Sequence, residues 1–514
     1  MLTNNMNGNL PYIEEIEGYC GEYCDKNTQK DNLPFSEKSN KESKVVDSLE
    51  EAIRKCGLQD GMTISFHHHF REGDYVLNKV MSVIASMGYK NLTIAASSLM
   101  DIDKPLIQHI KNGVVKKIET SGMRGELADE ISHGLMSIPV IFRSHGGRAY
   151  AIETGKLKID VAFLGAPSCD PFGNANGYSR DNDTGVTCGS LGYAKTDAQF
   201  AKKVIIITDN IVPFPNVPAG IPESDVDYVV KIDAIGDPEG IMKGATRYTK
   251  DPKELLIAET ASDVIVATGR MIEGFSIQFG SGGAALAVVR FLRERMIKKN
   301  IHASFALGGI SGQVVQLHEE GLVKKILDVQ SFDLEAATSL KNNRFHQQIS
   351  ASYYASPGTT GSAVNQLDFV ILSALEVDVN FNVNVLTGSN GVIRGAIGGH
   401  CDTAAGAAIS IIVCPLTRGR NATIVDHVTT IVTPGKTIDV VVTDQGVAVN
   451  PRREDLISSL TNHGIRLTSI DALCQKAKRL VGIPKPVEYT DKIVGFVTYR
   501  DGSLIDVIRQ VKNE

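Results

Sequence analysis

Cysteine is scarce: eight in 514 residues, at 20, 24, 56, 169, 188, 401, 414 and 474, are too few and too scattered for the disulfide framework small secreted domains rely on. Reduced thiols are expected. Cys20 and Cys24 lie close together, but no second cysteine pair or nearby histidine pair completes a zinc site, so no metal is expected. Long apolar runs are missing too. The longest, Ala404 to Leu416, is too short for a bilayer and contains Gly406 and Pro415. Met1 to Asn9 is polar and Asn-rich, unlike a secretory signal, so a cytoplasmic chain with no membrane span is the expectation. There is no surplus of positive charge: 53 Lys and Arg against 59 Asp and Glu give no general electrostatic reason to bind nucleic acid. No Gly-x-Ser-x-Gly elbow, HExxH helix or kinase signature occurs, which removes several hydrolase, metalloprotease and kinase readings.

What is present fits a large soluble enzyme, with 42% hydrophobic and 22% charged residues and length for two to four domains. Glycine, 48 residues or about 9% against a usual 7% or so, gathers in short tracts suited to backbone-mediated ligand binding. Residues 1–44 read as a tail, since aliphatic residues nearly vanish after Leu33. From Ser48 the pattern is β-loop-α-β: a capping box at Ser48 and Glu51, a strand at Thr63 to Phe66, a loop to Gly73, a helix capped by Asp74 and ended by Gly88, and a strand at Leu92 to Ala96. The grammar returns at Phe275 to Phe279, Gly280 to Gly283 and the apolar helix Ala284 to Lys299. Two blocks repeat at one offset of 208 residues, Leu106 to Ile118 against Val314 to Ile326 and the segment from Ile159 against that from Leu367. The expected fold is α/β, with two similar open-sheet domains at 45–235 and 253–514, a connection at 236–252, and ligands held in the cleft at the carboxyl ends of the strands.

Gly388-Ser389-Asn390-Gly391, Gly395 and Gly398-Gly399-His400-Cys401-Asp402 form the densest tract of small and polar residues. Such glycines let backbone amides converge on an oxyanion, with His400 and Asp402 beside them for orientation or proton transfer; the alternative is a run of tight turns. Arg143-Ser144-His145-Gly146-Gly147-Arg148 follows the apolar run Ile138 to Phe142, so its arginines could grip a polyanion bidentately or form interdomain salt bridges. Ser121 and Arg124, in Ser-Gly-Met-Arg-Gly, are a second candidate anion site beside the reading as an exposed turn. Three adjacent imidazoles at His67 to His69 rarely converge on one metal, because neighbours at a strand end alternate faces; one or two lining the cleft is the expectation. Gly280-Ser281-Gly282-Gly283 resembles a phosphate-binding turn at a helix N-terminus but lacks the Lys and Ser/Thr of a P-loop.

Together with Ile13 to Tyr19, these segments, SFHHHFREGD from Ser65, ETSGMR from Glu119, FRSHGGR from Phe142 and GSNGVIRGAIGGHCD from Gly388, resemble the alpha subunit of citrate lyase, its citrate CoA-transferase component. The resemblance covers nearly all of the chain from Ile13. It implies two domains of the fold shared by CoA-transferases and ribose-5-phosphate isomerases, and exchange of a carrier thioester: acetyl-carrier plus citrate gives citryl-carrier plus acetate. Implied partners are citrate, an acyl carrier protein (gamma) subunit with a CoA-like prosthetic group, a citryl lyase (beta) subunit and further copies of the chain; no cofactor resides on the chain itself. In the wider superfamily a glutamate of a Ser-Glu-Asn-Gly motif becomes acylated. Here Leu307 and Gly308 stand at the equivalent strand end, which favours direct attack by a citrate carboxylate, with Glu376 as an alternative nucleophile. Gly398 and Gly399 are the expected oxyanion donors; Arg143 to Arg148, Ser121, Arg124, Gly308 and Gly309 would hold citrate, and Gly280 to Gly283 with His67 and His69 the carrier arm. A related transferase for citramalate or another short carboxylate, and a citrate-binding scaffold, are the rival readings.

Overall fold

The structure, a computed structural model, describes residues 43–242 and 249–512. The expected tail over 1–44 falls almost wholly outside these, as do Cys20, Cys24, the Ile13 to Tyr19 motif and the middle of the 236–252 connection.

Short β-branched runs bounded by polar turns set the architecture. Ile205, Ile206 and Ile207, and likewise Ile409, Ile411 and Ile412, are fully buried, as expected of strands covered on both faces in a parallel sheet. The Glu51 amide donates to Ser48 Oγ at 3.2 Å and starts the helix Leu49–Lys55. Thr63–Phe66 follows as a strand. Asp74 accepts from the Val76 amide at 3.0 Å at the head of Val76–Ser86, and Gly88, at φ +88°, turns the chain toward Leu92–Ala96.

Two sheets result. In the first, Thr63–Phe66 is central, with Leu92–Ala96, Val115–Thr120 and Val140–Phe142 on one side and Val161–Gly165, Lys203–Thr208 and Tyr228–Lys231 on the other. In the second, Ser276–Phe279 is central, with Phe305–Ile310, Ile326–Ser331 and His346–Gln348 on one side and Phe369–Ser373, Ile409–Val413 and Val440–Thr443 on the other. The strand order is the same in both, and all these pairings are parallel. Each sheet therefore has a switch point beside its central strand, where the chain reverses its direction of growth and a crevice opens at the carboxyl ends.

The sheets do not follow the expected 253–514 boundary. The antiparallel hairpin Tyr489–Thr498 and Leu504–Val511 joins the first sheet, pairing Gly495 with Val140 and Val497 with Phe142. Val494, Phe496, Val497, Val507 and Ile508 bury themselves there. A strand's own pattern reports its burial but not its partner, so this crossing of the C-terminal segment has no local signature. Among the described residues no helix is long and apolar enough to cross a membrane, and no group of three or more His, Cys, Asp or Glu could hold a metal ion.

Candidate active site

The carboxyl ends of both central strands open into one cavity of about 420 Å³ between the two sheets. His68 and Arg71 reach it from the loop after Thr63–Phe66, Ser98 and Met100 from the next strand, and Ser121, Arg124 and His145 from the two after that. The second sheet supplies Gln278, Gly280 to Gly282, Gly309, Gln330 and Ser373, with Gly398, Gly399, His400 and Arg418 from the loops beyond. Among the described residues that line it there is no Asp, Glu, Lys or Cys, but there are three arginines.

Close backbone approach closes the floor. The Ile397 amide donates to the Ser121 carbonyl at 2.7 Å and the Met123 amide to that of Gly395 at 3.1 Å. A Cβ on Gly122 would sit 2.2 Å from Ala396 Cα, so the Ser-Gly-Met-Arg motif needs its glycine where loops of the two units press together. Asp402 clasps them further, accepting from Ser144 Oγ at 2.8 Å and the Gly146 amide at 2.9 Å. Burial raises the Asp402 carboxyl to about 6, although Arg500 and these donors pull the other way.

The three arginines differ in their mounting. Arg71 is 5% exposed and holds φ at 54°, a left-handed conformation unusual for a long side chain and common at functional sites. Its guanidinium lies 4.3 Å from the Phe332 ring centroid. Burial, and then Arg124 nearby, lower it to about 10, so it stays protonated at neutral pH. Arg124 is half-buried, with Nη1 3.6 Å from Met100 Sδ. Arg418 donates to the Ala374 carbonyl at 2.5 Å. Two cations held close, without a carboxylate among the described residues of the wall, make a site for a multiply charged anion.

Facing them are neutral hydrogen-bonding groups. Tyr193 Oη lies 2.6 Å from His145 Nδ1, and the His68 ring stacks on Tyr193 at 5.9 Å. Burial first, then Arg148, holds His145 down at about 3, and burial likewise holds His68 well below its ordinary value. The Gly398 and Gly399 amides, at a turn where Gly398 has φ +57°, donate to no group among the described residues. Those of Ser281 and Gly282 are likewise unclaimed, at the start of the 17-residue helix Gly283–Lys299, where orphan N–H groups and the helix dipole favour negative charge.

Gly280 to Gly282, Gly309, Gly398, Gly399, Ser121, Arg124 and His145 thus line one cavity. The rest of the expected set, His400 apart, lies outside that lining. Arg143 donates to Glu119 at 2.8 Å, and Arg148 forks onto Asp197 at 2.6 and 2.7 Å and reaches the Ala95 carbonyl at 3.0 Å. Both are buried, paired with carboxylates and not among the described residues of the cavity wall. Ser144 caps the helix His145–Glu153, accepting from the Gly147 amide. A Cβ on Gly146 would lie 2.2 Å from the Ala355 carbonyl oxygen, so this glycine serves packing. Gly283 opens its helix and Gly308 packs against Gln278, both behind the wall. His67 lies 3.1 Å from Asp197 and stacks on His69; the imidazole that faces the cavity is His68. His400 does line it, but Nε2 donates to the Ser373 carbonyl at 3.0 Å and Nδ1 accepts from Thr433 at 2.7 Å, which leaves no nitrogen for proton transfer. Glu376 is buried away from the cavity and accepts from Asn384, Ser389 and both donors of Thr429. Gly388 to Gly391 is a tight turn, with the Gly391 amide donating to Gly388.

The family model described as citrate lyase, alpha subunit, matches residues 42–511. The citrate lyase alpha chain of Haemophilus influenzae is 57% identical over 473 residues, covering 92% of this chain and 94% of that one. That of Escherichia coli is 57% identical over 472 residues, covering 92% of each. Among solved structures, the alpha subunit of citrate lyase from Streptococcus mutans in complex with citrate superposes with a TM-score of 0.92 at 57% identity, covering 95% of each chain. A Pseudomonas malonate decarboxylase hetero-tetramer shares the fold at a TM-score of 0.64 and 15% identity, over 85% of this chain and 87% of that one.

Proposed function

From the premise that the chain belongs to the citrate lyase alpha-subunit family, the citrate CoA-transferase component of that enzyme, we propose that it exchanges the carrier thioester by direct attack of citrate within this cavity. The observation that carries the reading is the cavity's lining, three arginines and no carboxylate or thiol among the described residues. A tricarboxylate has its charge met there. Among the described lining residues an acyl-enzyme has no carboxylate or thiol to form on.

One citrate carboxylate oxygen attacks the acetyl thioester carbonyl, forming a C–O bond; the adduct collapses with cleavage of C–S, releasing the carrier thiolate and leaving an acetyl citryl anhydride. The thiolate then attacks the citryl carbonyl, the anhydride C–O bond breaks, and acetate departs. Arg71 and Arg124 hold the carboxylates that do not react, and Tyr193, His145 and His68 orient citrate as neutral partners. The Gly398 and Gly399 amides receive the oxyanion, where a single donor is worth about 3 to 4 kcal/mol. Both substrates held together convert a bimolecular encounter into an intramolecular one.

The carrier (gamma) subunit brings the CoA-like arm, a beta subunit cleaves citryl-carrier to oxaloacetate, and the assembly is cytoplasmic with several copies of this chain. The common strand order and the repeated offset of 208 residues support an internal duplication of a CoA-transferase-like domain. The test is acyl exchange: the pure protein with acetyl-CoA as carrier analogue and a panel of di- and tricarboxylates, followed by mass spectrometry. Citryl-CoA with citrate and little product from other acids is expected; absence of citryl-CoA would overturn the reading.

A further inference from the structure

A second, larger hollow of about 1120 Å³ adjoins the cavity, and the two share Leu375 and Arg418 in their walls. Arg418 thus stands on the threshold, its guanidinium anchored on the Ala374 carbonyl. Beyond it the hollow runs as a groove to the surface. One side is the turn Gly388 to Val392; the other is Pro484-Lys485-Pro486, the crossing segment between the helix Ile470–Val481 and the hairpin of the first sheet.

Its charge is lopsided. Arg394, Arg418, Lys485 and Lys512 line it against Asp129 and Glu488, and Glu488 is already engaged by Lys512 at 3.4 Å. Arg394 and Lys485 are exposed, and neither has a carboxylate partner among the described residues. Lys485 lies between two prolines, which fix the strap's own φ values and hold the residue before each in an extended conformation. The lysine is therefore presented from a stiff backbone. The turn opposite is pinned as well, since a Cβ on Gly391 would lie 2.7 Å from Tyr489 Oη.

We propose that this groove seats the phosphate-bearing length of the carrier's CoA-like arm, with Arg394 and Lys485 on its phosphates and Arg418 at the point where the thioester end passes into the cavity. The assignment rests on the reading of a carrier thioester as substrate. It brings the arm in from the 388–394 and 484–488 side, while the Ser281 and Gly282 amides meet only its reactive end. Phosphate recognition by exposed guanidinium and ammonium groups is electrostatic and so falls with added salt.

Two thioesters distinguish the groove from the reaction. Acetyl-CoA carries the phosphates; acetyl-pantetheine carries the same thioester without them. Arg394→Ala combined with Lys485→Ala is expected to raise the KM for acetyl-CoA about tenfold or more, with kcat, the citrate KM and all kinetics with acetyl-pantetheine unchanged. An unaltered KM for acetyl-CoA, or an equal loss with both thioesters, would overturn the proposal. Calorimetric binding of CoA itself, which needs no turnover, should weaken by the same factor in the double variant; binding of equal strength to both proteins would also overturn it. Failure of the unsubstituted protein to exchange acyl groups would instead count against the reaction.

Discussion

Arg148 and Arg124 both rise from segments that begin at the carboxyl edge of the first sheet, and their surroundings make them opposites. Arg148 is locked bidentately onto Asp197; burial alone would raise that carboxyl, but Arg148 and His67 hold it below its usual range. Arg124 faces the cavity and has no carboxylate partner among the described residues. A guanidinium already neutralised by a buried carboxylate has nothing left for a ligand, whereas one held in a wall whose described residues include no carboxylate raises the affinity of that space for an anion. The comparison separates an arginine spent on holding the protein together from one left facing the cavity.

Arg148→Met should produce the largest effect, because it strands Asp197 without its partner. A loss of roughly 3 to 5 kcal/mol in denaturant-induced unfolding is expected, and a stable variant with a raised citrate KM would reverse the assignment. Gly399→Ala places a Cβ 2.4 Å from Tyr354 Oη and displaces the oxyanion donors. It should depress kcat about a hundredfold with the citrate KM little changed, and turnover at the original rate would remove that turn from the chemistry.

Asp402, which ties the two sets of loops together, gives a pH-dependent contrast. Its carboxyl is raised from 3.8 to about 6 in the folded protein, so the native state binds the extra proton and the group's contribution to stability falls as pH rises from about 4 to about 6. The span is on the order of 3 kcal/mol. The stability of the unsubstituted protein relative to Asp402→Asn should therefore be most favourable near pH 4 and decline toward pH 7; a difference that rises with pH would contradict the sign. The smallest effect separates the two kinds of arginine by kinetics alone. Arg124→Ala should raise the citrate KM tenfold to a hundredfold, about 1.5 to 3 kcal/mol of charge-assisted contact. Arg143→Ala should leave it unchanged, and the opposite pattern would move the citrate site.

Strands, caps and the glycine-rich ends of strands are local properties, and Thr63–Phe66, Gly280 to Gly282 and Gly398-Gly399 were legible for that reason. The arginines of Arg143 to Arg148 looked functional because their motif is distinctive, yet their carboxylates, Glu119 and Asp197, lie 24 and 49 residues away in the chain and carry no local mark. Alternation allowed one or two of His67 to His69 to face the cleft, but choosing His68 needs the side of the sheet on which the second unit packs. Tyr193 and Arg418 are single residues outside any motif and enter the cavity through tertiary crossings, whereas Gln278 sits in the strand just before the Gly280 turn without a local mark of what it faces. Arg71 had a signal, its place four residues after His67 in the same loop, but not the left-handed turn that aims it.

The direct route of transfer is tested most closely by incubating the protein with acetyl-CoA in the absence of citrate, quenching in acid, and measuring intact and peptide masses for the unsubstituted protein and Glu376→Gln. With no carboxylate among the described residues of the cavity wall, the protein mass should stay unmodified, and citryl-CoA should form only when citrate is added, with intersecting rather than ping-pong kinetics. An acetyl or CoA adduct formed without citrate, on Glu376 or any other side chain, would contradict direct attack and require a covalent enzyme intermediate.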